Sequence, residues 1–345
     1  MLASSFLFDV ESRWRLMQTQ QYAALAAAQN QWWGKCTKVI PTGSRREILA
    51  WVQETARLES RGPLGGGMGF EEMTMIEAEF IPEFVSRGLR MRKAQFEDLD
   101  GNGIATGTSW IKQITAQAAY WPQRSIANLL KIGHAATSLG YDGVPYFSDS
   151  HPYDKFNAGA GFYSNIIPSV PLTSDLDVGL ASLSTVFATI GAIMQSNGFD
   201  PRFLKPQAIL CSPTAFPSAA QITKAQYIAM TAGGGTTAGG SADMAGIVAT
   251  MGYGEVVMVP ELATFESGTT YFVIAGADGV PADELAGFVY LEREPFQIRY
   301  YTGSGGGDGV DAILGRSNEL EWQAEGRNIA GYGHPFAVFK CTAGA

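Results

Sequence analysis

The sequence is short of the residues from which most reaction centres are built. It has three histidines, His134, His151 and His334, and three cysteines, Cys36, Cys211 and Cys341, in 345 residues. Neither an H-E-x-x-H nor a C-x-x-C pair occurs, so a metallohydrolase site would have to be assembled from scattered parts. An odd cysteine count without paired spacing offers no disulfide framework, and the chain reads as one that folds in reducing cytosol. No serine sits in a G-x-S-x-G elbow. Cys211 lies in the apolar run AILCSP, where burial makes an inert core thiol and not a nucleophile.

Charge is scarce as well. Charged residues make up 17% of the chain and the net charge is -9. Lys and Arg cluster only in short stretches, which argues against a dedicated nucleic-acid binder. No apolar run reaches the length needed to cross a bilayer, so no membrane partner is expected. The N-terminal stretch MLASSFLFDVESRW lacks a basic region, and Asp9 and Glu11 interrupt its apolar run, so it is not expected to act as a signal peptide.

What the chain does have is apolar bulk and glycine. Hydrophobic residues account for 46%, which excludes a disordered chain, and the length suggests two lobes or one lobe with long extensions. Glycine numbers 41, well above the ~7% average, and gathers in GPLGGGMGF, GGGTTAGGS and GSGGGDGVD. None of these joins a strand to a helix in a phosphate-binding register, so no nucleotide cofactor is expected.

Residues 11–33, rich in Ala, Gln and Leu, predict a helix that ends before Gly34. The segments 46–60 and 72–96 flank the first glycine cluster and predict a long two-stranded excursion. From Thr108 to Ser138 the pattern is helical, with Pro122 expected to kink or restart the helix. Leu176, Leu180, Leu183, Phe187, Ile190 and Met194 form one apolar stripe, with Ser174 as the expected N-cap and Asn197-Gly198 as the stop. A strand at KPQAILCSP follows, then a helix from Phe216 to about Met230. Strands at EVVMVPEL, TTYFVIAG and AGFVYLEREPFQIRYY come next, and further strands close the tail. The order predicts an α+β fold.

One loop invites a metal. In FEDLDGNGIATGTSW, Asp98, Asp100, Asn102 and Gly103 match the start of a calcium loop, but Ser109 stands where a bidentate carboxylate is required. The stretch is better read as a turn between a strand and a helix. The arm residues Trp14, Trp32 and Trp33, with basic neighbours, are candidates for burial against another subunit or against their own chain. Arg45, Arg46, Arg57 and Arg61 complete the candidate inter-subunit set.

Several stretches, taken in order, resemble a known family. FVSRGLRMRKAQFEDLDGNG, LLKIGHAATSLGYDGVPYFSDSHP, LKPQAILCSPTAF, LEREPFQIRYY and RNIAGYGHPFAVFK together resemble the Mu-like major head (major capsid) proteins of tailed phages, which share the Hong Kong 97-type fold. The resemblance implies an N-terminal arm (1–44), an extended loop (45–97) and a peripheral domain with a long spine helix (98–172). It further implies an axial domain (173–290) and strands returning to the peripheral domain (291–345). The function it implies is a shell of hexamers and pentamers around phage dsDNA, without sequence-specific contacts to that DNA. Partners implied are a scaffold, a maturation protease, a portal and a decoration protein. The virion is the implied location, with assembly in the host cytoplasm. Some relatives cross-link through a lysine on the extended loop, but residues 57–84 contain none, so covalent locking is not expected. Alternative readings are an encapsulin-like compartment of the same fold, a calcium-binding module and a cytosolic hydrolase.

Overall fold

The computed structural model describes residues 4–28, 32–52, 75–92, 102–195, 200–224, 228–229, 241–242, 253–277, 284–300 and 319–343. The chain opens with α1 (Ser4–Ala28), a 3-10 turn (Trp32–Lys35) and β1 (Thr37–Pro41). Strands β2 (Glu47–Val52), β3 (Met75–Phe80) and β4 (Glu83–Arg92) lead to the long helix α2 (Asn102–Ile132). Three short strands follow, β5 (His151–Pro152), β6 (Phe162–Tyr163) and β7 (Ile166–Ile167), and then α3 (Leu176–Gly191). Next come β8 (Leu204–Cys211), α4 (Phe216–Lys224) and the short pair β9 (Ile228–Ala229) and β10 (Ser241–Ala242). The chain finishes with β11 (Glu255–Met258), β12 (Tyr271–Ala277), β13 (Phe288–Tyr300), β14 (Glu319–Tyr332) and β15 (Val338–Cys341).

Two sheets organise these elements. A four-stranded sheet runs β1-β13-β14-β4, and a five-stranded sheet runs β11-β8-β12-β15-β7. In the first, Leu89, Met91, Trp322, Ala324 and Ile298 alternate with charged neighbours such as Arg90 and Glu321. That alternation turns one face toward a core shared with Trp14, Ile111 and Ile114 of the helices, as a half-buried antiparallel sheet requires. In the second, Tyr271–Gly276 are all buried, as befits a strand with neighbours on both sides and cover on both faces.

The helix α2 ties the two sheets together. Its first half packs on the four-stranded sheet through Ile111 and Ile114, and its second half meets Leu210, Phe272 and Val338 through Ile126, Ala127 and Leu130. It continues as one helix through Pro122, so the restart expected there as one of two outcomes does not occur. Proline removes one ladder hydrogen bond and crowds the carbonyl four residues back, and here the burial of Ile111 and Ile114 before it and of Ile126, Ala127 and Leu130 after it outweighs that cost. The start lies six residues before the expected Thr108. The end comes at Ile132, and Gly133 follows it where the Phe147 ring would stand 2.7 Å from a Cβ.

Other boundaries shift for local reasons. The first helix ends at Ala28, and the tryptophans 32 and 33 fall in a separate 3-10 turn. Asp175, not Ser174, caps α3, its carboxylate accepting the N–H groups of Asp177 and Val178. The helix stops at Gly191, so Met194 lies beyond it in a bridge with Pro201. Its buried stripe includes Val186, which the step pattern omitted. The helix expected to reach Met230 ends at Lys224, and Ile228–Ala229 are extended.

Candidate assembly surfaces

The expected two-stranded excursion divides. β2 and β3 pair antiparallel, from Glu47 opposite Phe80 to Val52 opposite Met75. After Ile81-Pro82 the chain leaves this hairpin, and β4 joins β14 in the four-stranded sheet instead. The glycine tip at 62–69 lies outside the described residues.

The hairpin has two unlike faces, set by the period of two along each strand. On the inner face Trp51 stacks on Tyr141 with ring centroids 5.3 Å apart and meets the edge of His334 at 6.3 Å. Phe80 lies over Gly331, close enough that a Cβ there would strike its ring. On the outer face Ile48 is 55% exposed and Met75 50% exposed, beside exposed Ala50 and Glu77. A two-stranded sheet is at best marginally stable in water, so the inner contacts hold this one in place, while the outer face is exposed. Phe84 and Phe203 are exposed too. Phe203 is 69% exposed and holds a φ of 55°, a region that bulky residues avoid.

The candidate contact residues of the arm divide as well. Trp14 is buried, edge-on to Trp322 at a centroid distance of 5.1 Å. Its helix is pinned to β13, where Gln18 donates to the Phe296 carbonyl at 2.8 Å and accepts from the Ile298 N–H at 3.2 Å. Trp32 is buried in the core shared by α2 and the five-stranded sheet, and Trp33 is half-buried against Tyr290. The structure therefore places Trp14 and Trp32 within their own chain, because α1 lies beside α2 on the sheet and finds enough apolar surface there. Arg45 is exposed, and Arg46 is exposed and paired with Glu79. Arg57 and Arg61 lie outside the described residues. The hairpin's outer face was missed as a site, although the alternation of Ile48 and Ala50 with Met75, Glu77 and Glu79 marks it.

Titratable groups are engaged in structure. His151 is fully buried, with Nδ1 2.6 Å from the Asp142 carboxylate and Nε2 3.1 Å from the Tyr146 carbonyl oxygen. A carbonyl can only accept, so Nε2 carries hydrogen and neither nitrogen is free to act as a base. Burial, with Arg202 and Lys38 nearby, lowers His334 to about 3. Burial also pushes the thiols of Cys36 and Cys211 up to about 12 and raises that of Cys341. Asp98 and Asp100 of the calcium-like loop lie outside the described residues, while Asn102 and Gly103 fall in the first turn of α2. Among the described residues no group of three or more His, Cys, Asp or Glu could hold a metal ion.

Residues 12–173 match the model of the Mu-like prophage major head subunit gpT family. No curated protein matches by sequence. Among solved structures the chain is similar to the procapsid protein of bacteriophage JBD30, at 12% identity and a TM-score of 0.50, covering 99% of this chain and 76% of that one. It is also similar to a chain of the mature capsid of bacteriophage PhiM1, at 11% identity and a TM-score of 0.49, covering 91% and 87%. A virus-like particle from Pyrococcus furiosus aligns at 6% identity and a TM-score of 0.47, over 96% and 98%. Residues 12–173 thus resemble the Mu-like gpT head subunits, and the architecture is that of the Hong Kong 97-type capsid fold.

Proposed function

We propose that the chain builds the icosahedral head shell by closing into hexamers and pentamers around phage dsDNA. The observation that carries this reading is the capsid fold over 99% of the chain, joined to the head-subunit match. One sequence that makes both five-fold and six-fold rings needs heterologous contacts that close by symmetry and tolerate a few degrees of adjustment. An exposed hairpin face held to the body by a few aromatic contacts suits that demand. Several modest contacts per subunit suffice, because each added one acts at high effective concentration once the first has formed.

In this reading residues 1–44 are the N-terminal arm, 45–97 the extended loop, 98–172 the peripheral domain, 173–290 the axial domain and 291–345 the returning strands. β15, in the last of these, is hydrogen-bonded between β12 and β7 and so ties that segment to the axial sheet as well. Scaffold, maturation protease, portal and decoration protein are separate chains, and assembly takes place in the host cytoplasm. The role is structural and not enzymatic. The net charge of -9 suits a container filled by a motor, since strong attraction to its wall would hinder release of the DNA. Negative-stain microscopy of the expressed protein, alone and with its neighbouring genes, tests the reading: closed shells of uniform size support it, and monomers under every condition overturn it.

A further inference from the structure

Among the described residues β2 pairs with β3 alone, and no backbone hydrogen bond joins it to any other element. In an antiparallel pair alternate residues turn their N–H and C=O groups away from the partner, so the far edge of β2 presents a row of donors and acceptors. None of residues 47–51 is buried. The edge is open to another strand.

Proteins ordinarily guard such edges with charge, proline, a bulge or a very short strand. The other edges among the described residues carry these guards. β4 has Arg87, Arg90 and Arg92, β3 has Glu77 and Glu79, and β1 has Lys38 and Pro41. β11 has four residues and begins with Glu255. β5, β6, β7, β9 and β10 have two residues each. After Glu47, β2 has no guard: residues 48–52 read ILAWV, without charge, proline or glycine, and the pairing with β3 runs in one register from end to end.

The chain itself supplies a strand that matches this edge. Two copies of β2 related by a two-fold axis run antiparallel, and directly opposed residues then lie on the same face of the joint sheet. Centred on Ala50, the pairing sets Ala50 against Ala50 and Leu49 against Trp51, and it leaves Glu47 outside. Aromatic and aliphatic residues opposed in this way favour pairing. The exposed Ile48 and Ala50 of the two copies become one apolar strip. The same operation on β3 or β4 would bring carboxylates against carboxylates or guanidinium groups against guanidinium groups, which is destabilising. Two hairpins joined through β2 make four strands, beyond the marginal stability of two.

We propose that β2 pairs antiparallel with β2 of a second copy across a two-fold axis. Such a contact is isologous, so it joins two subunits and then stops. In the shell it ties one ring to the next and leaves ring closure to other surfaces. The proposal rests on the shell reading and adds the contact between rings.

Ala50→Cys tests the register. The three native cysteines are buried, and Cα atoms of directly opposed residues stand about 4.5–5.5 Å apart, within the span of a disulfide. Shells of this variant, treated with a mild oxidant, are expected to give a covalent dimer as the main band on a non-reducing gel. Shells of Glu77→Cys are not, because position 77 on β3 lies opposite Ala50 and its two copies would stand three strand spacings apart, about 14 Å. Charge gives a second measurement. Ala50→Lys and Ala50→Glu each set like charges across the axis, and each is expected to cut the fast-sedimenting shell fraction at least tenfold without moving the melting temperature of the isolated subunit. An equal mixture of the two is expected to restore shells, since position 50 meets itself. Ala50→Cys shells that yield no dimer or link to a different polypeptide, or a mixture no better than either variant alone, would overturn the pairing and leave the shell reading standing. A parent chain that stays monomeric in every condition would overturn both.

Discussion

Trp14 occupies the space that Gly107 leaves open on α2, where a Cβ would run into the indole ring. That fit lets α1 approach α2 closely and sends the indole on to Trp322. Gly107→Ala is therefore expected to destabilise by ~1–3 kcal/mol through overpacking, and Trp14→Ala by ~3–5 kcal/mol through the cavity it leaves. Both would show as lower urea midpoints, and a midpoint unchanged in either variant would contradict the packing described. His334 supplies a pH dependence. An unfolded histidine takes up its proton near 6.5, and the folded one near 3, so unfolding takes up a proton anywhere between those values. Stability should fall as pH drops through that window. His334→Phe, whose ring fits among Trp51, Tyr141 and Phe336, is expected to flatten that part of the thermal-stability profile against pH. At this scale the sequence was partly legible. It marked Trp14 and Trp32 as residues that must be buried, but their partners Trp322 and Phe288 lie more than 250 positions away in the chain, beyond the reach of any local pattern.

Among the elements, the most readable were those whose pattern answers to one surface. The stripe of α3 and the apolar run of β8 fit that description, and both came through with boundary changes of a few residues or less at their starts. The excursion was harder, because period-two alternation reports that a strand has two faces and says nothing about which strand it pairs with. Thus β3 and β4, separated by Ile81-Pro82, looked continuous yet belong to different sheets. Likewise Pro122 signals a break locally, while the burial of Ile126, Ala127 and Leu130 after it keeps α2 whole. The hairpin β2–β3 gives the test that belongs to this scale. Trp51 is its main aromatic contact with Tyr141 and His334, so Trp51→Ala is expected to speed hydrogen exchange across residues 47–52 and 75–80 at least tenfold. The core strands β8 and β12 should stay protected, since local opening need not involve them. Uniform loss of protection would mean that the hairpin is not a separately held unit.

At the scale of the whole molecule, the proposed shell raises the question of which surface makes copies adhere once Trp14 and Trp32 are spent on the subunit's own core. The hairpin's outer face is the strongest candidate, because Ile48 and Met75 are about half exposed on strands whose inner face is already satisfied. Removing such apolar area from water contributes roughly 25 cal/mol per Å², a modest amount for one contact and a large one when it is repeated around a closed shell. Placing a charge there should act on assembly and not on folding. Ile48→Asp with Met75→Asp leaves every inner-face contact in place, so circular dichroism and the melting temperature of the isolated subunit are expected to stay close to those of the parent chain. Shells, counted by negative-stain microscopy and by the fast-sedimenting fraction, should fall to less than a tenth. Shells forming at the parent level would exclude this face from the interface and move attention to Phe84 and Phe203. A subunit that fails to fold would instead show that the outer face is part of the core, contrary to the exposure of both residues. The two measurements separate these outcomes because the fold of a subunit rests on its own two sheets and α2, while the stability of the shell is collective.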